Sequence, residues 1–293
     1  MAQKTISINR HFQEVTEHRL GTLPIQYYVT SFDTLVNGRL PLHWHDEMQW
    51  VVMLEGEAEF SINHEVWTIK QGEALFINSG RLHAARHMAL SSRYLCINAA
   101  PSFLMPEILH DAYLTPFVTA TNFSWLPISS STFHGQTIIE RLLFIQTLLT
   151  NTSYHFELGV FTALNDVWRQ MIGNEPSLTY QAAKEREEQT IKQMLEWIHV
   201  HYAETIRLED IARAGSLSRS ECCRYFQRIL KTTPMRYVKD YRIQKSVELL
   251  QSSDASITDI AFQVGFSNAS HFIETFRHRL HTTPLAYQKK RYL

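Results

Sequence analysis

Residues 210–293 write one pattern twice. Asp210-Ile211-Ala212 returns as Asp259-Ile260-Ala261, Phe226 as Phe276, Thr232-Thr233-Pro234 as Thr282-Thr283-Pro284, and Tyr237 as Tyr287. From Phe226 onward the offset is constant at 50 residues, and at Asp210-Ile211-Ala212 it is 49, so one copy carries an extra residue in its turn. Each copy reads as helix, short turn, helix, the rhythm of a helix-turn-helix. Two such units on one chain can address two successive major grooves of duplex DNA without a second protein.

Charge is distributed to match. The chain as a whole carries −1, yet residues 205–293 hold 15 Lys/Arg against 8 Asp/Glu, while residues 1–204 hold 13 against 21. A basic unit on an acidic carrier suits a polyanionic partner. A length of 293 residues with 44% hydrophobic content supports two domains with cores of their own. No apolar run has signal-peptide or membrane-spanning character. The three cysteines, Cys96 and the adjacent Cys222 and Cys223, form no disulfide framework. The expectation is a reduced, cytoplasmic protein with no membrane partner.

The first hundred residues carry short β-branched and aromatic runs at 49–54, 58–62, 66–69, 74–77 and 94–97, separated by turn pairs such as Glu55-Gly56, Asn63-His64 and Gln71-Gly72. That spacing predicts an all-β barrel or double sheet. Residues 101–135 are broken by Pro101, Pro106, Pro116 and Pro127. Ile138, Leu142, Ile145 and Leu149 then step by 4, 3 and 4, and Phe161, Leu164, Trp168 and Met171 by 3, 4 and 3, predicting two amphipathic helices. These stripes fit either packing on the barrel or pairing with a second copy. A linker is expected at 173–189, followed by a helix that turns Ile191, Met194, Leu195 and Ile198 inward. The fold class is therefore α+β multidomain: a β-barrel with following helices over 1–172, and an all-α tandem helix-turn-helix over 190–293.

In each copy the apolar positions fix the angle between scaffold and reading helix. These are Leu217, Cys222 and Phe226, matched by Phe266, Phe272 and Phe276. Ser256-Ile257-Thr258-Asp259 reads as a capped helix start, where copy one has Arg207. Gly265 supplies the turn of copy two. The outward face of the first reading helix then holds Ser218, Ser220, Cys223 and Arg224, and that of the second Asn268, Ser270, His271 and Glu274. Arg224 suits guanine, Asn268 adenine, and Glu274 cytosine N4, whereas Cys223 and Ala269 offer only shape or methyl contact. Arg219, Arg228, Lys231, Arg236, Arg277, Lys289 and Lys290 suit phosphates, or ion pairs with Asp240 and Glu248 on the intervening helix.

Residues 190–293 resemble the DNA-binding domain of AraC/XylS-type transcription regulators. The likeness rests on the duplication, on Arg242-Ile243 with Leu249-Leu250, and on the closing run Gly265-Phe266-Ser267-Asn268, Phe272, Phe276, Thr283-Pro284 and Tyr287. It implies two reading helices about one DNA turn apart on one face. The chain departs from the family pattern at Ser246, where Ala is usual, and at the small residues Ser220 and Cys223.

Farther upstream, His43-Trp44-His45 places two imidazoles on one strand face, and Gly72, Asn78-Ser79-Gly80, His83 and His87 follow. This resembles the two-part signature of cupin barrels, with Gln49 in the usual Glu position, His83 in the second His position and Asn78 where Pro is common. The resemblance implies an N-terminal sensor. One reading makes His43, His45 and His83 a divalent-metal trio lacking its anionic ligand. The other makes His43, Trp44, His45, Gln49, Trp50, His83 and Arg86, with Phe60 and Phe76 nearby, an organic-effector site. A carbohydrate or related polar metabolite fits the second, with no cofactor required.

Together these readings predict a non-enzymatic, sequence-specific DNA-binding regulator that responds to a small effector. Its partners would be double-stranded DNA, a second copy of the chain, and RNA polymerase if it activates. An effector would act through the barrel, its arm (1–25) or the helices at 136–172. The alternative is a metal-dependent cupin enzyme fused to a DNA-binding tail.

Overall fold

The computed structural model describes residues 13–14, 16, 18–35, 38–63, 65–88, 91–173 and 177–289. The chain divides into two compact units, 1–185 and 186–293. The turn residue His64 and residues 1–12, 15 and 17 of the arm lie outside the described residues, as do Lys290 and positions 174–176 of the expected linker.

Among the described residues the first unit is built on nine antiparallel strands: β1 (Ile25–Ser31), β2 (Arg39–His43), β3 (Met48–Glu55), β4 (Glu57–Ile62), β5 (Glu65–Lys70), β6 (Ala74–Ile77), β7 (His83–His87), β8 (Arg93–Ala99) and β9 (Trp125–Ile128). They form a five-stranded sheet ordered β1-β8-β3-β6-β9 and a four-stranded sheet ordered β2-β7-β4-β5. All five expected strands are present. β1, β2, β7 and β9 are additions, and β7 reads poorly because its five residues, His-Ala-Ala-Arg-His, include only one apolar type. At the β3–β4 turn Gly56 adopts φ +70, and a Cβ there would come within 2.6 Å of Ser92 Oγ.

Period-2 alternation sorts the strand residues into two cores. Val51 and Met53 of β3, Phe60 and Ile62 of β4, Leu75 and Ile77 of β6, and Tyr94 and Cys96 of β8 fill the space between the sheets. The alternate residues Met48, Trp50, Val52, Ala74, Phe76, Leu95 and Ile97 lie in a second core with α3 (Phe133–Thr150) and α4 (Phe156–Ile172). Trp50 Nε1 reaches Met171 Sδ at 3.2 Å, and Trp168 Nε1 donates to the Tyr113 carbonyl at 2.8 Å. The two helical stripes are therefore consumed by their own sheet. Leu142, Ile145, Leu164 and Met171 are buried, while Leu143, Phe144 and Leu158 face solvent.

Residues 101–124 contain two short 3₁₀ turns and the brief helices α1 (His110–Tyr113) and α2 (Thr115–Thr119). Residues 177–181 fold back onto this unit. Thr121 N–H donates to the Thr179 carbonyl (2.9 Å), Asn122 Nδ2 to Ser177 (2.7 Å), and Gln181 N–H to Thr121 Oγ1 (3.1 Å). Helix α5 (Ala182–His201) begins inside the segment expected to be linker. Ser177 and Thr179 give no sign of this in sequence, because their tethers are largely backbone groups.

The second unit holds α5 from residue 186, α6 (Leu208–Ala214), α7 (Arg219–Leu230), α8 (Pro234–Ser252), α9 (Ile257–Gln263), α10 (Ala269–Leu280) and α11 (Pro284–Lys289). The repeat persists down to individual hydrogen bonds. The turn positions Ser216 and Gly265 both adopt positive φ (54° and 89°), and Lys231 and His281 both close their helices in the left-handed region (52° and 53°). Leu217 N–H and Phe266 N–H each donate 2.9 Å to Ala212 and Ala261. Thr233 and Thr283 cap the next helices, each followed by a buried proline. Phe226 meets Tyr237 at 5.9 Å and Phe276 meets Tyr287 at 5.8 Å, both edge-on. The extra residue falls between Phe266 and the helix start at Asn268, where Ser267 has no counterpart.

Helix α8 joins the two halves, with Ile243, Val247 and Leu250 in a core with α9 and α10. Arg242 ties it to the end of α5 by donating 2.7 Å bonds to the Tyr202 and Glu204 carbonyls. Ser246 is fully buried and satisfied by the Ile243 carbonyl at 2.7 Å, so it sits there at little cost. Phe226, Phe272 and Phe276 are fully buried, each stabilising the fold by roughly 1.5–3 kcal/mol.

Candidate functional site

Helices α7 and α10 each bury one face on Cys222 and Phe226 or on Phe272 and Phe276. Helical periodicity then leaves the opposite faces exposed. On α7 these carry Ser220, Arg224 and Gln227, with Cys223 half-buried. The Arg224 side chain is 72% exposed and lies 3.9 Å from Glu221. On α10, Ser270, Ile273, Glu274, Arg277 and His278 line one open concave strip. Position by position at the 50-residue offset, Cys223, Arg224, Gln227 and Arg228 correspond to Ile273, Glu274, Arg277 and His278. Gln227, Ile273 and His278 were missed as surface-presenting residues, and the offset alone would have located them.

Two expected base readers have another task. Ser218 caps α7: its Oγ accepts from the Glu221 amide at 3.3 Å and donates to Glu221 Oε2 at 2.7 Å, and Glu221 accepts from the Ser218 amide at 3.1 Å. These bonds hold the Glu221 carboxyl below its usual range. Asn268 caps α10 through Oδ1, which accepts from Ser270 (2.7 Å) and His271 (3.3 Å). Both residues stand just outside their helices, where unsatisfied amide groups need side-chain acceptors. The acceptor half of the expected Asn268–adenine pairing is thereby committed. His271 is exposed with its ring edge-on to Phe266 at 5.6 Å.

The phosphate candidates fall into two groups. Arg219 is paired with Glu209 (2.8 Å) and Arg228 with Glu187 (2.6 Å). The pairing of Arg219 also lowers the Glu209 carboxyl, after a backbone hydrogen bond. Arg236, Arg277 and Lys289 are exposed, and Lys231 is the left-handed residue closing α7. The intervening helix does bind basic side chains, but they are Arg279 on Asp240 (2.6 Å) and Lys245 on Glu248 (2.9 Å).

A second constellation occupies one end of the space between the sheets. His43, His45 and His83 are buried, and one ring nitrogen from each lies within 4.8 Å of the others. His43 Nδ1 donates to the Pro41 carbonyl and His83 Nδ1 to that of Arg81, both at 2.8 Å. That makes Nδ1 a protonated nitrogen in both rings and leaves Nε2 as the ring atom opposite the carbonyl. His45 bonds the Glu47 carbonyl through Nδ1 and Gln49 through Nε2, both at 3.0 Å. Strand alternation explains which other expected residues join them. Gln49 faces the cluster, whereas its neighbour Trp50 points to the helices and Phe76 goes with it. Arg86 faces outward in a two-point pair with Glu59 (2.7 and 2.9 Å). Trp50 and Arg86 are therefore not part of this site. Asn78 is structural, donating to the Phe117 and Phe123 carbonyls at 2.9 and 2.8 Å.

Sequence reasoning also missed two members. Trp44, between the two histidines, accepts the Glu14 amide at 2.8 Å, and Gln13 bridges to it in parallel. That contact carries the Glu14 carboxylate inward, 3.5 Å from His43 Nε2 and 3.6 Å from His18 Nε2, with all three side chains fully buried. Asn98 Nδ2 lies 3.2 Å from His18 Nε2. Gln13 and Glu14 precede His43 by some thirty residues, and nothing local in the sequence marks them. His43 and His83 have the orientation usual for metal-ligating imidazoles, with the far nitrogen on a backbone carbonyl, whereas both ring nitrogens of His45 already meet oxygen atoms of Glu47 and Gln49.

A double β-sheet with a histidine-lined interior, together with two matched helix-turn-helix units, defines a cupin-type domain and a tandem helix-turn-helix domain on one chain. The comparisons agree. A helix-turn-helix domain family matches residues 211–290 and a cupin domain family residues 33–97. The chain is 42% identical over 287 residues to the uncharacterized HTH-type transcriptional regulator YdeC of Bacillus subtilis (strain 168), spanning 98% of this chain and 99% of that one. It is 25% identical over 265 residues to the HTH-type transcriptional activator RhaS of Klebsiella pneumoniae (strain 342), spanning 85% and 88%. A crystal structure of ToxT from Vibrio cholerae aligns over 90% of this chain and 98% of that one, with 14% identity and a TM-score of 0.46. The chain belongs to the AraC-type HTH transcriptional regulators that carry an N-terminal cupin domain. Among the described residues, no helix is long and apolar enough to cross a membrane.

Proposed function

We propose that the protein is a ligand-responsive, sequence-specific transcription regulator, and not an enzyme. Helices α7 and α10 enter successive major grooves, and the cupin domain receives the signal. The observation that carries this reading is the residue-by-residue equivalence of the two helix-turn-helix units, down to their caps and left-handed ends. Helix α8, with 19 residues, is about 28 Å long at ~1.5 Å per residue, of the order of the ~34–36 Å between half-sites one turn apart. Arg224 on α7 and Glu274 on α10, both exposed, would read base edges, and Arg277, beside Glu274 on the same strip, would serve a phosphate. The unequal faces predict an asymmetric site: guanine under Arg224, cytosine under Glu274, and an apolar contact to a thymine methyl from Ile273. Lys289 and Arg236 serve phosphates.

Signalling follows from linkage. A ligand at the histidine end of the barrel changes DNA binding only by favouring one arrangement of the chain over another. Two copies associating through the outer faces of α3 and α4, where Phe144 and Leu158 are 46% and 64% exposed, would raise affinity for paired sites. An activating protein would then also meet RNA polymerase.

The test is selection of binding sites from random duplex DNA by the full chain at physiological salt. An enriched bipartite motif is expected. Uniform retention of all sequences would reject specific regulation.

A further inference from the structure

We infer that Glu187 holds Arg228 of α7 where a DNA phosphate would otherwise take it, so that the first helix-turn-helix grips the DNA backbone less than the second. Glu187 is thereby a positioning residue for DNA binding. The inference rests on the DNA-reading function proposed above and deepens it by dividing the work between the two copies.

Helical geometry gives Arg228 its role. Helix α7 buries Cys222, Phe226 and Ile229, and at ~3.6 residues per turn Ser220, Arg224 and Gln227 lie opposite them, with Arg228 on the flank. A cationic side chain on the flank of a reading helix suits the phosphate backbone rather than base edges. In the free protein that side chain is already engaged. Its guanidinium lies over the Tyr225 ring, 5.0 Å from the centroid. Nε donates to Glu187 Oε1 at 2.6 Å, and Nη2 contacts the same oxygen. To a guanidinium, a carboxylate oxygen and a phosphate oxygen are alike: both are anionic acceptors of charge-assisted hydrogen bonds.

The duplication supplies a comparison within the chain. Helices α5 and α8 begin at Ala182 and Pro234, an offset of 52. At the same offset Ile191, Leu195 and Ile198 of α5 are buried, as are Ile243, Val247 and Leu250 of α8. That offset sets Lys239 where copy one has Glu187, and the 50-residue offset sets His278 where it has Arg228. Both are exposed. Copy one thus opposes an acid to its arginine, whereas copy two has two basic side chains at the equivalent positions. The acid one position on in copy two, Asp240, holds Arg279, which lies on the core side of α10 and is 27% exposed.

The Glu187–Arg228 pair is partly exposed, and pairs of that kind are weak enough for a phosphate to compete. Competition has a cost, because an arginine that moves to the backbone leaves an unpaired carboxylate beside a polyanion. Copy two meets no such opposition at this corner. It serves as the anchor, and copy one contributes base reading with a lighter hold.

The experiment measures binding of the full chain to a short duplex of random sequence between ~50 and ~200 mM salt. The proteins compared are the wild type, Glu187→Gln, Arg228→Ala and the double variant. Released from its acid, Arg228 should act as one further phosphate contact and steepen the slope of log K against log[salt] by ~0.9. Glu187→Gln should therefore bind more tightly at low salt and lose about 3.5-fold more affinity than the wild type across that fourfold range. Glu187→Lys, which gives copy one the residue of copy two, should steepen the slope at least as much. Arg228→Ala should cost far more in the Glu187→Gln background than in the wild type, because only there does the arginine hold a phosphate freely. An unchanged slope in Glu187→Gln would overturn the inference. Equal cost of Arg228→Ala in both backgrounds would also overturn it, since the gain would then be a general effect of removing negative charge. Failure of the wild type to bind the duplex at all would instead overturn the DNA-reading function itself. A normal response to Glu187→Gln without any enriched motif in site selection would remove sequence-specific regulation and leave this inference standing.

Discussion

His199 makes the stability of the DNA-reading unit depend on pH in a calculable way. Its ring stacks on Tyr241 at 3.6 Å and 15°, and Nε2 lies 3.2 Å from the Tyr237 hydroxyl. The residue is 8% exposed. Burial, reinforced by the Lys245 charge, pushes its pKa down to about 2. In the unfolded chain the ring titrates near 6.5. The folded form therefore excludes a proton that the unfolded form binds, and stability is full above pH 6.5 and falls as the pH drops below it. Stability then falls by a little over ~1 kcal/mol per pH unit, so pH 4.5 should cost on the order of 3 kcal/mol from this residue. The assay is urea unfolding between pH 7.5 and 4.5, following the transition of the second unit in wild type and in His199→Phe. The variant keeps the stack and loses the titration. Groups common to both proteins cancel, so the difference between their stabilities should rise with pH below 6.5 and level off above it. Parallel curves across the whole range would refute the reasoning.

Other expectations follow from the same contacts. Arg224→Ala should cost roughly 1–3 kcal/mol of specific binding and relax the preference at one base pair; a selected motif identical to the wild type would remove Arg224 from base reading. Lys289→Ala should weaken all sequences alike and lower the slope of log K against log[salt] by about 1, whereas loss confined to one sequence would contradict a phosphate contact. Gly265→Ala should destabilise the second unit by more than ~2 kcal/mol, because φ is +89 and the added Cβ would lie 2.5 Å from the Tyr202 carbonyl. Denaturation at the wild-type midpoint would show that the α9–α10 turn relaxes freely.

The duplicated tail was legible because its signal is redundant: spacing, caps and aromatic positions all repeat at a fixed offset. The histidine cluster was legible because His43 and His45 are two residues apart, although strand β2 ends at His43 and His45 lies just beyond it. The same alternation, applied one residue further, separates Gln49 from Trp50 and would have removed Trp50 and Phe76 from the effector site. Ser218 and Asn268 were read as base contacts because a helix wheel ignores where the helix begins, and their chemistry is that of N-caps. Glu14 and His18 had no readable signal, since their place depends on a backbone bridge to Trp44 formed only in the fold. Strand β2 (Arg-Leu-Pro-Leu-His) escaped because a proline interrupts it, and β7 because it consists of histidine, alanine and arginine.

The central claim is that one chain presents two reading helices to one face of DNA. Hydroxyl-radical footprinting of the full-length protein on a selected site tests it most directly. Two protected patches on the same face should appear, about 10–10.5 base pairs apart. Substitutions on α7 and α10 should each erase a different one. A single patch, or two patches on opposite faces, would contradict the account.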